Sequence, residues 1–303
     1  MRIMITGGLG HIGSCLIRQI PDQHDVIVVD NLSSQRYCSL FSLTRKITFL
    51  EKSVEDITAS DLGNIDTVIH LAAYTNAAKS FDAKSALARN VKDAKDLALK
   101  CVHAKVKAFL FPSTASVYGS DVETMVEDDE SLINPQSPYA LSKWKIENLL
   151  KETLGNDTKF IIVRFGTIFG SSPGMGFQTA INKFCFQVSC GVPLTVWREN
   201  LEFMRPYLGV KDACKSIIHL LEGPESYKNK TYNILSGNYN LSDIIESLKN
   251  KVPNLELNLI KSPLINQHSY KVSDTKIRST GYVPTQDLNE EISNTLVLLS
   301  GIK

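Results

Sequence analysis

Six short runs along the chain are apolar almost throughout: RIMIT, DVIVVD, KITFLE, DTVIHL, KAFLFP and KFIIVRF. A strand that shows no polar alternation is one buried on both faces, as in a parallel sheet. Between these runs the period changes to that of a helix. From Ala83 to His103, Leu87, Val91, Ala94, Leu97, Ala98 and Cys101 recur at spacings of three and four, and a second amphipathic stretch runs from Ser137 to Leu154. Strand and helix in alternation predict an α/β fold with a doubly wound parallel sheet covered on both sides.

After Phe165 the texture changes. SSPGMGF interrupts the pattern, and shorter elements follow: helices near 179–190 and 211–221, a strand KTYNIL, and a helix opened by NLSD, where Asn240 or Ser242 serves as N-cap. No repeat, low-complexity stretch or linker separates the halves. The expected division is a cofactor domain over 1–165 and a smaller, mainly substrate-binding α/β domain over 166–303, with some later segments returning to the sheet.

Composition narrows the partners. With 33 basic and 32 acidic residues in 303, the net charge is +1, and no charge run breaks the balance. Neither nucleic acid nor an anionic membrane surface is expected. Six cysteines lie scattered through apolar stretches without metal-ligand spacing, which reads as reduced thiols and no metal site. No leader-like segment precedes the first strand and no run reaches the ~18 apolar residues of a membrane span, so a soluble, cytoplasmic protein is expected.

Two features carry chemistry. Gly8-Leu9-Gly10-His11-Ile12-Gly13 fits G-x-G-x-x-G, and Gly7 extends it. The pattern alone is weak, but here it follows the first strand and opens a helix. Such glycines allow a tight turn and bring a pyrophosphate against the backbone at a helix N-terminus. Asp30 closes the second strand, where a carboxylate accepts hydrogen bonds from ribose hydroxyls and repels a 2′-phosphate. That favours NAD over NADP; Arg36, six residues on, is the nearest arginine after it. The second feature is Tyr139-Ala-Leu-Ser-Lys143, a pair that falls on one helix face, where a cationic lysine lowers the tyrosine pKa. Tyr207 and Lys211 repeat the spacing. Position favours the first pair, because it opens the helix after PSTASVYG, the hydroxyl-rich end of the fifth strand.

TGGLGHIG, DNLSS, HLAA, STASVYG, YALSK, RPYLGVKDA and DTKIRSTGYVP stand in the order seen in extended short-chain dehydrogenases. Over nearly its whole length the chain resembles the branch that modifies nucleotide sugars, which includes UDP-galactose 4-epimerases. The resemblance implies a Rossmann-type cofactor domain, NAD as cofactor, and a nucleotide-sugar substrate. By position it makes Tyr139 the catalytic base and acid, Lys143 its partner and a holder of the nicotinamide ribose, and Thr114 a hydrogen-bond partner of the reacting sugar oxygen. Gly7, Gly10, His11, Ile12 and Gly13 would line the pyrophosphate. Asp30 and Asn31 would take the adenosine ribose, and Ser53 and Val54 the adenine edge. Leu71, Ala72, Ala73, Asn90 and Ser113 would border the rest of the cofactor, and Thr75, Thr167, Asn182 and Arg205 would meet the substrate. The helices near 83–103 and 137–155 resemble those of a dimer interface, so a homodimer is expected.

Three departures shape the functional reading. The two positions after Thr114 carry an acid/base pair in the family's 4,6-dehydratases, but here they are Ala115 and Ser116, which disfavours dehydration. Thr167 replaces a usual asparagine, and the arginine and Gly-Asp expected near SPLINQHS are absent. The leading expectation is NAD-dependent epimerisation at C4 through a 4-keto sugar. The alternatives are a nucleotide-sugar dehydrogenase or 4-keto reductase and, behind it, a non-catalytic NAD sensor.

Overall fold

A computed structural model describes residues 1–75, 82–119, 124–261 and 269–302. The six apolar runs form β1 (Arg2–Thr6), β2 (Asp25–Asp30), β3 (Thr48–Glu51), β4 (Thr67–His70), β5 (Ala108–Thr114) and β7 (Lys159–Phe165), with β6 (Thr124–Met125) a two-residue strand between the last two. A later strand, β11 (Lys230–Ile234), pairs with β7 and completes a seven-stranded parallel sheet of order β11-β7-β5-β4-β1-β2-β3. The order reverses between β1 and β4, and in such sheets the crevice at the reversal takes the ligand.

Two helical layers cover the sheet, as the double burial of the strands requires. One core packs Leu16 and Ile17 of α1 (His11–Gln19) with Ala213, Ile217 and Leu220 of α5 (Val210–Glu222) over Ile3, Ile5 and Val28. The other packs Ala94, Leu97 and Cys101 of α2 (Lys84–His103) with Ile146 and Leu150 of α3 (Pro138–Thr153) over Met4, Val68 and Phe109. Although α5 and β11 lie in the second half of the chain, they belong to this layered body, and the first core reaches as far as Ile277 and Tyr282.

The smaller unit gathers around Phe169, Ile181, Phe184, Ile244 and Ile292. It comprises β8 (Thr167–Phe169), α4 (Ala180–Ser189), β9 (Leu194–Trp197), β10 (Arg205–Gly209), β12 (Gly237–Tyr239), α6 (Leu241–Lys251), β13 (Leu257–Ile260) and α8 (Leu288–Leu298). Between the last two come β14 (Lys271–Val272), which pairs with β6, and α7 (Thr275–Arg278). At the start of α6 Asn240, not Ser242, is the cap: it accepts from Asp243 N, and the Asp243 carboxylate accepts from Asn240 N in return.

Candidate active site

The glycine segment follows β1 and turns into α1. Gly7 lies at φ +66°, and an added Cβ would come within 2.6 Å of Ala72 N, so conformation and close approach both demand glycine. At Gly13 an added Cβ would strike the Gly8 backbone at 2.6 Å, which is how closely α1 sits on the loop. Gly10 caps α1, and no acidic residue lies in its first turn. The N–H groups of His11, Ile12 and Gly13 have no acceptor within the helix. Together they form the cradle that a dinucleotide pyrophosphate requires. The His11 side chain faces elsewhere: its Nε2 donates to Gly170 O at 3.0 Å, and burial pulls its pKa down to about 4, so the ring is neutral.

The loops bordering this cradle are pinned by local bonds. Asp30 accepts Leu9 N at 3.1 Å through one carboxylate oxygen and Leu32 N at 3.0 Å through the other, and each oxygen keeps a lone pair for a ribose hydroxyl. Asn31 donates to Ser53 Oγ at 3.2 Å, beside buried Val54. Leu71, Ala72 and Ala73 follow β4, and Thr6 Oγ1 accepts Ala72 N at 3.3 Å. His70 packs against Thr6 and Phe111, and burial lowers its pKa to about 3, which fits a structural residue. Asn90 holds both backbone groups of Tyr74, at 2.9 and 3.0 Å. Its amide oxygen and nitrogen thereby pin the backbone of Tyr74, with a second N–H and a second lone pair to spare.

At the end of β5, Thr114 Oγ1 accepts Ser116 N at 3.1 Å and donates to Ser116 Oγ at 3.2 Å. Ser137 caps α3 by accepting Ala140 N, which sets Tyr139 in the first turn and Lys143 one turn on, along the same face. Lys143 is buried, donates to Pro112 O at 2.7 Å and stands 4.4 Å over the Phe111 ring. Burial lowers its pKa to about 8, while the Glu147 carboxylate acts to raise it. Tyr139 keeps part of its surface open, yet burial pushes its phenol up to about 12. This corrects the expectation that the lysine charge lowers it: in this arrangement desolvation dominates. Tyr207, by contrast, lies in β10 and Lys211 in α5, so the second Tyr-x-x-x-Lys is no helical pair.

On the substrate side, Thr75 is exposed beyond β4, and Thr167 is half-buried in β8 opposite Tyr207 of β10. Arg205 opens β10, donates to Met204 O at 2.9 Å and stacks 4.9 Å from Tyr270, whose hydroxyl reaches Ala115 O at 3.4 Å. Most of the Arg205 fork has no partner among the described residues, and burial lowers its pKa. Asn182 differs from expectation. It is fully buried, accepts Gly170 N, and donates to Gly170 O and Gly176 O, so its amide holds the 170–176 loop and has no surface for a substrate. The segment around SPLINQHS lies, but for its last residue, outside the described residues.

The sequence reading missed what stands behind the lysine. Glu147, fully buried, accepts Arg164 through Nε and Nη2 and also takes the Ser113 hydroxyl. Arg164 Nη1 donates to Tyr118 OH at 2.8 Å, and that hydroxyl donates to Asn233. An arginine inside an otherwise apolar strand, and a glutamate four residues beyond Lys143, were the available signals. The second omission is the 170–176 loop, which lies directly on the glycine segment. Gly174 N donates to Ser14 Oγ at 2.9 Å, and an added Cβ at Gly174 would fall 2.2 Å from Leu9 O.

A helix-terminus cradle at the reversal of a parallel sheet, with a tyrosine and lysine at the neighbouring strand end, defines a nicotinamide-dinucleotide enzyme. The chain belongs to the NAD dependent epimerase/dehydratase family, whose pattern it matches over residues 3–234. It is 29% identical over 241 residues to the uncharacterized UDP-glucose epimerase YtcB of Bacillus subtilis (strain 168), covering 74% of this chain and 73% of that protein. Among solved structures, the UDP-glucuronic acid 4-epimerase from Bacillus cereus in complex with UDP-glucuronic acid and NAD superposes with a TM-score of 0.85. It is 24% identical and covers 99% of each chain, a likeness of fold. TunA, an NAD dependent NDP-hexosamine 5,6-dehydratase, is 25% identical with a TM-score of 0.87, covering 100% of this chain and 98% of its own. Among the described residues no helix is long and apolar enough to cross a membrane.

Proposed function

We propose that the protein epimerises a nucleotide sugar at C4 through a transient 4-keto sugar. What supports this reading is the strand end of β5, where Lys143 donates to Pro112 O at 2.7 Å, two residues before Thr114, and where Ala115 and Ser116 supply no acid or base. NAD, when bound, supplies the hydride acceptor and donor. The chain's own residues manage the proton and the orientation. Thr114 Oγ1, already fixed by Ser116, donates to or accepts from the sugar 4-oxygen. Tyr139 exchanges a proton with that same oxygen, giving it on reduction and taking it on oxidation. Lys143, anchored on Pro112 O and largely an ammonium at neutral pH, holds the ribose hydroxyls. Arg205, most of whose fork has no partner among the described residues, meets the diphosphate of the substrate.

The dehydratase TunA supports a second reading, elimination of water. It requires a base for a ring proton and an acid for the departing hydroxyl, and the two positions after Thr114 offer neither. A panel of UDP-, GDP-, dTDP- and CDP-sugars decides. Inversion at C4 with no water lost and no net NADH is the expected result. Accumulated oxidised sugar with stoichiometric NADH refutes epimerisation and favours the dehydrogenase or reductase. A product lighter by one water establishes elimination.

A further inference from the structure

Arg36 lies in the loop after β2, and its guanidinium reaches back across the cradle. An added Cβ at Gly10 would be 3.8 Å from Arg36 Nη1, and one at Gly176 would be 3.3 Å from its Nη2. The fork therefore stands between the cap of α1 and the 170–176 loop. It is only half-buried, yet no hydrogen bond or ion pair of this side chain occurs among the described residues. Its charge adds to the burial that keeps His11 neutral.

That placement gathers positive charge at the cradle. A guanidinium is held beside the positive end of α1, with free N–H groups facing the same space and no carboxylate in the first turn. A phosphate placed between them accepts from the helix N–H groups and from the guanidinium together. We infer that Arg36 is a binding residue for the diphosphate of NAD, closing on it opposite the α1 N-terminus. The inference rests on the dinucleotide site already described and adds a side chain to it. Asp30 occupies the ribose end, so Arg36 pairs with the linking diphosphate and not with a 2′-phosphate. Sequence distance from Asp30 concealed this, because the loop folds back over the glycines.

A diphosphate also belongs to the nucleotide-sugar, so the test separates the two sources. Equilibrium dialysis with labelled NAD, adenosine and UDP is run on wild type, Arg36→Met and Arg36→Lys. The expected result is that R36M weakens NAD roughly tenfold or more, leaves adenosine and UDP within about twofold, and that R36K falls between. Unchanged NAD affinity in R36M overturns the inference, as does a loss confined to UDP or one shared equally by adenosine. Wild type that takes up no labelled NAD after its retained nucleotide has been removed overturns the cofactor site itself, an outcome distinct from failure of Arg36 alone.

Discussion

Replacing Glu147 by leucine tests whether the buried charges behind Lys143 balance one another. Arg164 is 1% exposed and Glu147 fully buried, with Nη2–Oε2 at 2.8 Å and Nε at 3.2 Å from both oxygens. Glu147→Leu removes every one of these acceptors and leaves the guanidinium only the Tyr118 hydroxyl. An uncompensated buried charge of this kind costs about 3–5 kcal/mol. At roughly 2.1 cal/mol/K per residue, 303 residues give an unfolding entropy of about 0.64 kcal/mol/K, so a ~4 kcal/mol loss lowers Tm by about 6 °C. The double variant E147L/R164M removes both charges and their desolvation cost together. Tyr118 still donates to Asn233 there, and only the Ser113 hydroxyl loses its acceptor. The double variant should therefore melt within about 2 °C of wild type, roughly 1 kcal/mol. Thermal melts at one matched scan rate measure all three. If E147L and E147L/R164M lose the same amount, charge compensation is not what Glu147 provides, and the reasoning fails.

Other outcomes follow from the same geometry. Tyr139→Phe should lower turnover by about a thousandfold or more while the purified protein retains NAD; loss of NAD instead would make Tyr139 a binding residue. Because burial lowers Lys143 to about 8 in the folded chain, from an ordinary 10.5, the unfolded chain binds the extra proton above pH 8. Stability relative to Lys143→Met should therefore rise with pH, by up to about 2 kcal/mol between pH 8 and 9.5, in denaturant titrations; a flat difference refutes the lowered value. Gly7→Ala, strained in φ and against Ala72, should leave the protein folded but poor in retained NAD, read by nucleotide content after denaturation. Light scattering on a sizing column should show a homodimer through α2 and α3, where Leu99 and Leu141 are exposed; a monomer at all concentrations removes that expectation.

Much of the fold was legible because doubly buried strands and amphipathic helices have different periods. The six apolar runs appear as strands, and the helices expected over 83–103 and 137–154 appear at Lys84–His103 and Pro138–Thr153. The glycine motif was legible for a related reason: conformation at Gly7 and close approach at Gly13 leave no other residue possible. What was hidden arises from long-range contact. Nothing near Asn182 in sequence shows that its amide is spent on Gly170 and Gly176, and nothing near Arg36 shows that the chain folds it over Gly10. The Tyr139 phenol was misjudged for the same reason: sequence supplies the neighbouring charge, but only the folded chain supplies the desolvation that outweighs it.

The return of β11 to the edge of the sheet bears on how the chain is made. Until residue 234 has been synthesised, β7 is an open edge, and the face covered by α5 lacks Ala213, Ile217 and Leu220. A nascent or truncated chain ending near residue 165 would expose Ile161 and Val163 together with an unpaired row of backbone groups. Residues 1–165 by themselves therefore lack part of the core that covers their sheet. A fragment of residues 1–165 expressed alone should be recovered as aggregate. The first half of the chain thus acquires the finished core over its sheet only once α5 and β11 of the second half have been made.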